Sequence, residues 1–175
     1  MYGPPKSVAS AAKSAPTVVD RAFQFAYVCA YRLMRTYWKV RRPTTHGALV
    51  AIWQGGEVLL VKNSYVPYYT APGGYIRANE TGRDAALREL REEVGVSVAP
   101  DRLKPALDET HDWEGKRDHV QIFNIDLDER PSVAVDHREV VSASWMRPEA
   151  AIGLELFPPL RQVIRDRIEA GRAGH

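Results

Sequence analysis

The chain has 175 residues, 45% hydrophobic and 26% charged, enough for one soluble globular domain with a sizeable core plus an extension. Its single cysteine, Cys29, excludes an internal disulfide, and no run reaches the roughly 20 apolar residues that a membrane span needs. The N-terminus lacks the compact apolar stretch and cleavage site of a signal peptide, so a cytoplasmic protein is expected. The net charge of +2 is unevenly spread. Residues 1–45 hold eight Lys/Arg against Asp20 alone, a net +7, while the remainder holds sixteen Lys/Arg against twenty-one Asp/Glu, a net −5. A basic extension over residues 1–45 and an acidic body over residues 46–175 are thus expected to meet different partners.

In chain order, residues 1–16 are rich in Pro, Ala, Ser and Lys without periodicity and read as loosely packed. An apolar segment closed by Pro43 predicts a helix near 17–41. Ala48 to Trp53, the Gly55-Gly56 turn and Val58 to Val61 predict a β-hairpin. A Tyr- and Pro-rich loop, Ser64 to Pro72, leads to a helix over Thr81 to Glu93. Thr81 and Asp84 resemble a capping box there, and Gly95 suits the left-handed position after a helix end. His111 to His119 reads as a loop, His119 to Leu127 and Val140 to Met146 as strands, and Pro158-Pro159 open a last helix with Gly171 as its stop. Strands and helices are mixed without βαβ regularity, which predicts an α/β protein with a mixed sheet covered by helices.

The chemistry is concentrated between Gly73 and Val96. Glu89 lies three residues before Glu92 and four before Glu93, so a helix puts the three carboxylates on one side, while Ala86, Leu87, Leu90 and Val94 form another side that can pack on a sheet. Like charges at this spacing cost a helix a few tenths of a kcal/mol per pair, a penalty that a cation removes. Oxygen donors without nearby His or Cys favour Mg²⁺ or Mn²⁺ over Zn²⁺. Gly73 and Gly74 permit a tight turn and close backbone approach to a phosphate. The helix pattern alone is equally that of a solvated face on which Arg88 and Arg91 pair with neighbouring acids.

The complete string resolves that ambiguity. Gly74, Glu80, Arg88, Glu89, Leu90, Glu92, Glu93, Gly95 and Val96 fill every defined position of a nine-position pattern, and the segment resembles the Nudix box. The resemblance covers residues 74–96 closely and about 46–170 loosely. It implies a three-layer α/β/α sandwich with a mixed sheet and hydrolysis of a nucleoside diphosphate linked to another moiety. By position, Glu89, Glu92 and Glu93 resemble the metal ligands, with Glu80 and Arg88 supporting them. The group that takes the proton from water differs among members. Glu89 is one candidate and Glu139 a later one, unless Glu139 is simply a surface residue beside Arg138.

Substrate contacts are expected from Gly73, Gly74, Trp113, Lys116 and Arg117. Trp113 is placed to stack on a base or to pack half-buried, and Lys116 or Arg117 to hold a phosphate. Tyr65, Tyr68 and Tyr69 are further candidates for the pocket mouth. The residues that mark coenzyme A, dinucleoside polyphosphate and ADP-ribose subclasses are absent; Trp113, for instance, stands where a tyrosine marks the second. The sequence therefore leaves the substrate open.

The alternative function is a Nudix-like nucleotide sensor without turnover, although all box glutamates are present. No specific nucleic-acid binding is expected. The apolar and basic residues of 17–42 are expected to be buried on the domain, in a homodimer, or at an anionic membrane surface as a peripheral contact.

Overall fold

A computed structural model describes residues 16–133 and 137–173. The expectation for residues 1–16 falls almost wholly outside them.

Helix α1, Val18–Arg41, starts at Thr17, whose side chain and that of Asp20 form a reciprocal capping box. It ends where Arg42 turns into the left-handed region. Strand β1, Thr44–Gln54, and β2, Glu57–Asn63, form the predicted hairpin, and both turn glycines have positive φ, 57° and 78°. Two short strands follow, β3 at Tyr69–Thr70 and β4 at Gly73–Tyr75. Helix α2, Gly82–Val94, has the capping box Thr81/Asp84 and a left-handed Gly95.

The segment read as a loop between His111 and His119 is instead the tip of a long hairpin. Strand β5, Lys104–Trp113, and β6, Lys116–Asp126, are joined by only Glu114 and Gly115. Both turn residues have positive φ, the geometry of a two-residue hairpin loop. Strand β7, Val140–Met146, and helices α3, Pro148–Ala151, and α4, Pro158–Ala173, complete the fold. Helix α4 runs past Gly171 rather than stopping there.

The sheet order is β3-β2-β1-β6-β5, with β4 pairing β1 and β7 pairing β2. Strands β1 and β6 are parallel and the other pairs antiparallel, so the sheet is mixed. Val50, Ile52 and Leu59 point to α2, where Ala86, Leu90 and Val94 meet them. Ala51, Trp53 and Leu60 point the other way, to Leu160, Val163 and Ile164 of α4. Burial on both faces explains why the central strands read as unbroken apolar runs rather than alternating ones. Truncating the fully buried Leu90 to alanine would cost about 2–5 kcal/mol.

Helix α1 lies outside this sandwich and leans on it. Trp38 is its buried anchor, while Phe25 and Leu33 on the other side are 71% and 72% exposed. No helix among the described residues is long and apolar enough to cross a membrane.

Candidate active site

The loop from β4 to α2 is organised by Arg88. Its Nε donates to Glu80 Oε1 at 2.9 Å and its Nη2 to Glu80 Oε2 at 3.1 Å, a two-pronged grip. Nη2 also donates to the Tyr75 carbonyl at 3.1 Å, which ties the end of β4 to the helix. Glu80 additionally accepts from the Arg77 backbone N–H at 2.9 Å. The Arg88 guanidinium, then this N–H, hold the Glu80 carboxyl down to about 2.

Arg88 Nη1 contacts Glu89 and lies 3.4 Å from Glu92, which is also 3.7 Å from Arg77. Glu93 turns elsewhere and accepts the Gly73 backbone N–H at 2.9 Å. The three glutamates share a side of α2, but Glu89 and Glu92 share Arg88 while Glu93 faces the Gly73 backbone. Among the described residues no three His, Cys, Asp or Glu side chains converge as a ready metal group. The donor chemistry nonetheless fits a hard divalent cation: carboxylates only, beside a glycine backbone. Gly74 keeps this corner open, because a Cβ there would lie 2.4 Å from Glu89 Oε1. Gly73, at φ 154°, packs so closely that a Cβ would sit 2.3 Å from the Ala48 carbonyl oxygen.

The fold brings Glu139 to this place. With Glu92 and Glu93 it lines a cavity of about 160 Å³, walled by Val61, Pro72 and Val140. Its Oε1 accepts from the Tyr65 hydroxyl at 2.9 Å. Burial, reinforced by the Glu139 charge, pushes the Tyr65 phenol above its usual range and keeps it a donor.

A second cavity, of about 170 Å³, lies against Gly73 and Gly74. Trp113 and Lys116 line it, as do Tyr65 and Tyr68, whereas Tyr69 instead lies under the Lys62 ammonium, 5.1 Å from its ring centroid. Trp113 both lines the cavity and packs, edge-on to Tyr68 and Phe157 at 5.8 Å between centroids. Lys116 is buried and paired with Asp118 at 3.0 Å, so its charge is already matched. Arg117 alternates to the other side of β6, is exposed, and does not line the cavity.

Tyr31 and Trp38 of α1 also line this cavity, and the sequence reading did not single them out. A signal was present: Tyr27, Tyr31 and Trp38 fall on one helical stripe, with Phe25 and Leu33 opposite.

A family model described as the NUDIX domain matches residues 43–168. Among curated proteins, the chain is 29% identical over 123 residues to the NAD-capped RNA hydrolase NudC of Erwinia tasmaniensis, covering 69% of this chain and 44% of that protein. The Haemophilus influenzae NudC is 24% identical and is matched over 86% of this chain and 60% of its own length. The chain thus spans about half the length of these curated relatives. Among solved structures, a C. elegans Ap4A hydrolase complex superposes with a TM-score of 0.61 at 25% identity, covering 75% of this chain and 99% of that one. A MutT NUDIX hydrolase from Burkholderia pseudomallei gives 0.60 at 21% identity, covering 70% and 96%, a likeness of fold.

Proposed function

This chain belongs to the Nudix family of hydrolases, and on that premise we propose that it is a divalent-metal-dependent pyrophosphohydrolase cleaving the diphosphate of a nucleoside diphosphate linked to another moiety. The observation that carries this reading is the meeting of Glu139 with Glu92 and Glu93 around one cavity, next to the Gly73-Gly74 backbone. Glu89, Glu92 and Glu93 would hold Mg²⁺, with Mn²⁺ as the other candidate. Such a cation, when bound, neutralises the diphosphate and lowers the pKa of the attacking water.

The chain's own residues do the rest. Glu139, aimed by the Tyr65 hydroxyl, is placed to take the proton from water, and Glu89 is the other candidate base. Arg88 grips Glu80 and contacts Glu89, and so ties the loop that carries Glu80 to the face of α2 that carries Glu89. The aromatic cavity beside Gly74 takes the nucleoside end, with Trp113 in its wall. Lys116, matched by Asp118, supports that wall rather than holding a phosphate. Because NudC relatives are named for NAD-capped RNA, an NAD-type dinucleotide is the first substrate to try.

The test is a screen of nucleoside diphosphate derivatives with Mg²⁺ or Mn²⁺, with products identified. Turnover that vanishes with excess chelator, and is largely lost in Glu92→Gln and Glu93→Gln, supports the reading. Undiminished turnover after exhaustive metal removal would overturn the metal assignment. Tight nucleotide binding with no turnover on any substrate would favour the sensor instead.

A further inference from the structure

We propose that helix α1 is part of the substrate site, with Tyr31 and Trp38 forming the outer wall of a pocket for an amino-bearing nucleobase. This rests on reading the cavity beside Gly74 as the place of the nucleoside end.

Contacts along the length of α1 place it there. Near its start, Arg138 pairs with Asp20 at 3.2 Å, and Gln24 donates to the His137 carbonyl at 2.6 Å. In the middle, Tyr27 stacks on Tyr65 at 6.0 Å between centroids, Tyr31 lies 5.1 Å from the same ring, and the Tyr31 hydroxyl donates to Glu114. Near its end, the Lys116 ammonium sits 4.8 Å from the Trp38 ring centroid. Tyr65 is therefore shared: its ring packs on α1 while its hydroxyl holds Glu139. The helix that closes the aromatic cavity also supports the residue that aims the candidate base.

The pocket's chemistry selects its occupant. Its volume of about 170 Å³ falls short of the roughly 300–1,000 Å³ of clefts that enclose a drug-sized ligand. One planar ring fits, and the ribose and phosphates then lie outside, along Gly73-Gly74 toward Glu89. The walls are aromatic faces, which stack on any base. Two polar atoms of the lining are buried without a hydrogen-bond partner, the acceptor Asn63 Oδ1 and the donor Trp113 Nε1, whereas Glu114 already accepts from Tyr31 and Asp118 from Thr45 and Lys116. Lys116, the cation lining the cavity among the described residues, is matched by Asp118. A phosphate meets two carboxylates there, whereas an exocyclic amino group meets the open Asn63 oxygen and a neighbouring ring nitrogen can accept from Trp113 Nε1. A base with only a carbonyl at that position leaves the Asn63 oxygen unsatisfied.

The experiment measures binding of adenosine 5′-diphosphate and inosine 5′-diphosphate to the full chain by calorimetry, separately from turnover. The inosine compound carries a carbonyl where adenine carries its amino group. The expected result is a weaker inosine complex, and adenosine affinity lowered roughly tenfold in Tyr31→Ala and in Trp38→Ala. Trp38→Phe restores most of it, and Phe25→Ala, on the outward side of the helix, leaves it unchanged. Thermal melts accompany each variant; should Trp38→Ala fail to fold, the half-buried Tyr31→Ala carries the test. Unchanged adenosine affinity in Tyr31→Ala, or no adenosine binding by the wild type at millimolar concentration, overturns the assignment of α1. Equal affinity for the two nucleotides overturns the amino-base selection. Altered binding without turnover on any diphosphate leaves this assignment standing and removes the hydrolase reading. Turnover with KM unchanged in both α1 variants does the reverse.

Discussion

Arg88 grips Glu80 through two hydrogen bonds, Nε to Oε1 at 2.9 Å and Nη2 to Oε2 at 3.1 Å. The same guanidinium reaches the Tyr75 carbonyl and Glu89, so one side chain joins the end of β4, the loop before α2 and the face of α2. A lysine ammonium is a point donor and cannot reproduce this planar fork. Arg88→Lys is therefore expected to keep the fold, because the core on α2 is untouched, and to lower kcat by tenfold or more. Circular dichroism with steady-state kinetics checks this. Wild-type kcat in a folded Arg88→Lys protein would show that the grip does not organise the site.

The same pair sets an acid limit. Glu80 is held to about 2 in the fold against an ordinary value of 4.5. A depressed carboxyl contributes stability that is fully present above the unfolded pKa and is lost as pH falls through the folded one. The loss attributable to Glu80 thus runs from about pH 4.5 down to about 2. In Glu80→Gln this component is absent, so its stability should fall less steeply across that window than the wild type's. Denaturant titrations at several acid pH values measure the difference, and parallel curves would show that Glu80 is not so held.

Much of this site is legible in the sequence because its determinants are local. Thr81, Asp84 and Gly95 bound α2 by capping chemistry, and the spacing of Glu89, Glu92 and Glu93 fixes their shared side. What was illegible depends on distant packing. Strand β5 carries Asp108, Glu109, Thr110 and Asp112 along a largely exposed edge of the sheet, with no apolar alternation to betray it. The short Glu114-Gly115 turn was hidden among polar residues that also suit a loop. Partners for the Tyr27–Tyr31–Trp38 stripe come from the loop after β2, the β5–β6 turn and β6, more than 30 residues away in sequence, and no local rule names them.

Glu139 and Tyr65 give a test of the base. Tyr65→Phe removes one hydrogen bond from the carboxylate and keeps the ring that packs on Tyr31. If Glu139 takes the proton, Glu139→Gln should lower kcat by about 10²–10⁴-fold, the usual range for a general base. Tyr65→Phe should give a smaller loss of kcat, since the carboxylate is then no longer held by the hydroxyl that aims it. A Glu139→Gln enzyme within a few-fold of wild type would move the role to Glu89.

Gly115 controls how closely the β5–β6 hairpin approaches α1. Its φ is 87°, a conformation that costs any other residue, and a Cβ there would stand 3.1 Å from both the backbone N and the Cα of Lys39. These are helix backbone atoms, which cannot swing aside as a flexible side chain would. Gly115→Ala must therefore strain the turn and push α1 away from the hairpin, loosening Trp38 from Lys116 and Tyr31 from Glu114. The α2 face is held by other groups: Glu89 and Glu92 by Arg88, Glu92 also by Arg77, and Glu93 by the Gly73 backbone. The expected outcome is a KM raised several-fold with kcat changed by much less, together with faster proteolysis between α1 and β1. A parallel drop in kcat with KM unchanged would mean that the helix acts on the catalytic carboxylates, through Tyr65, more than on the bound base.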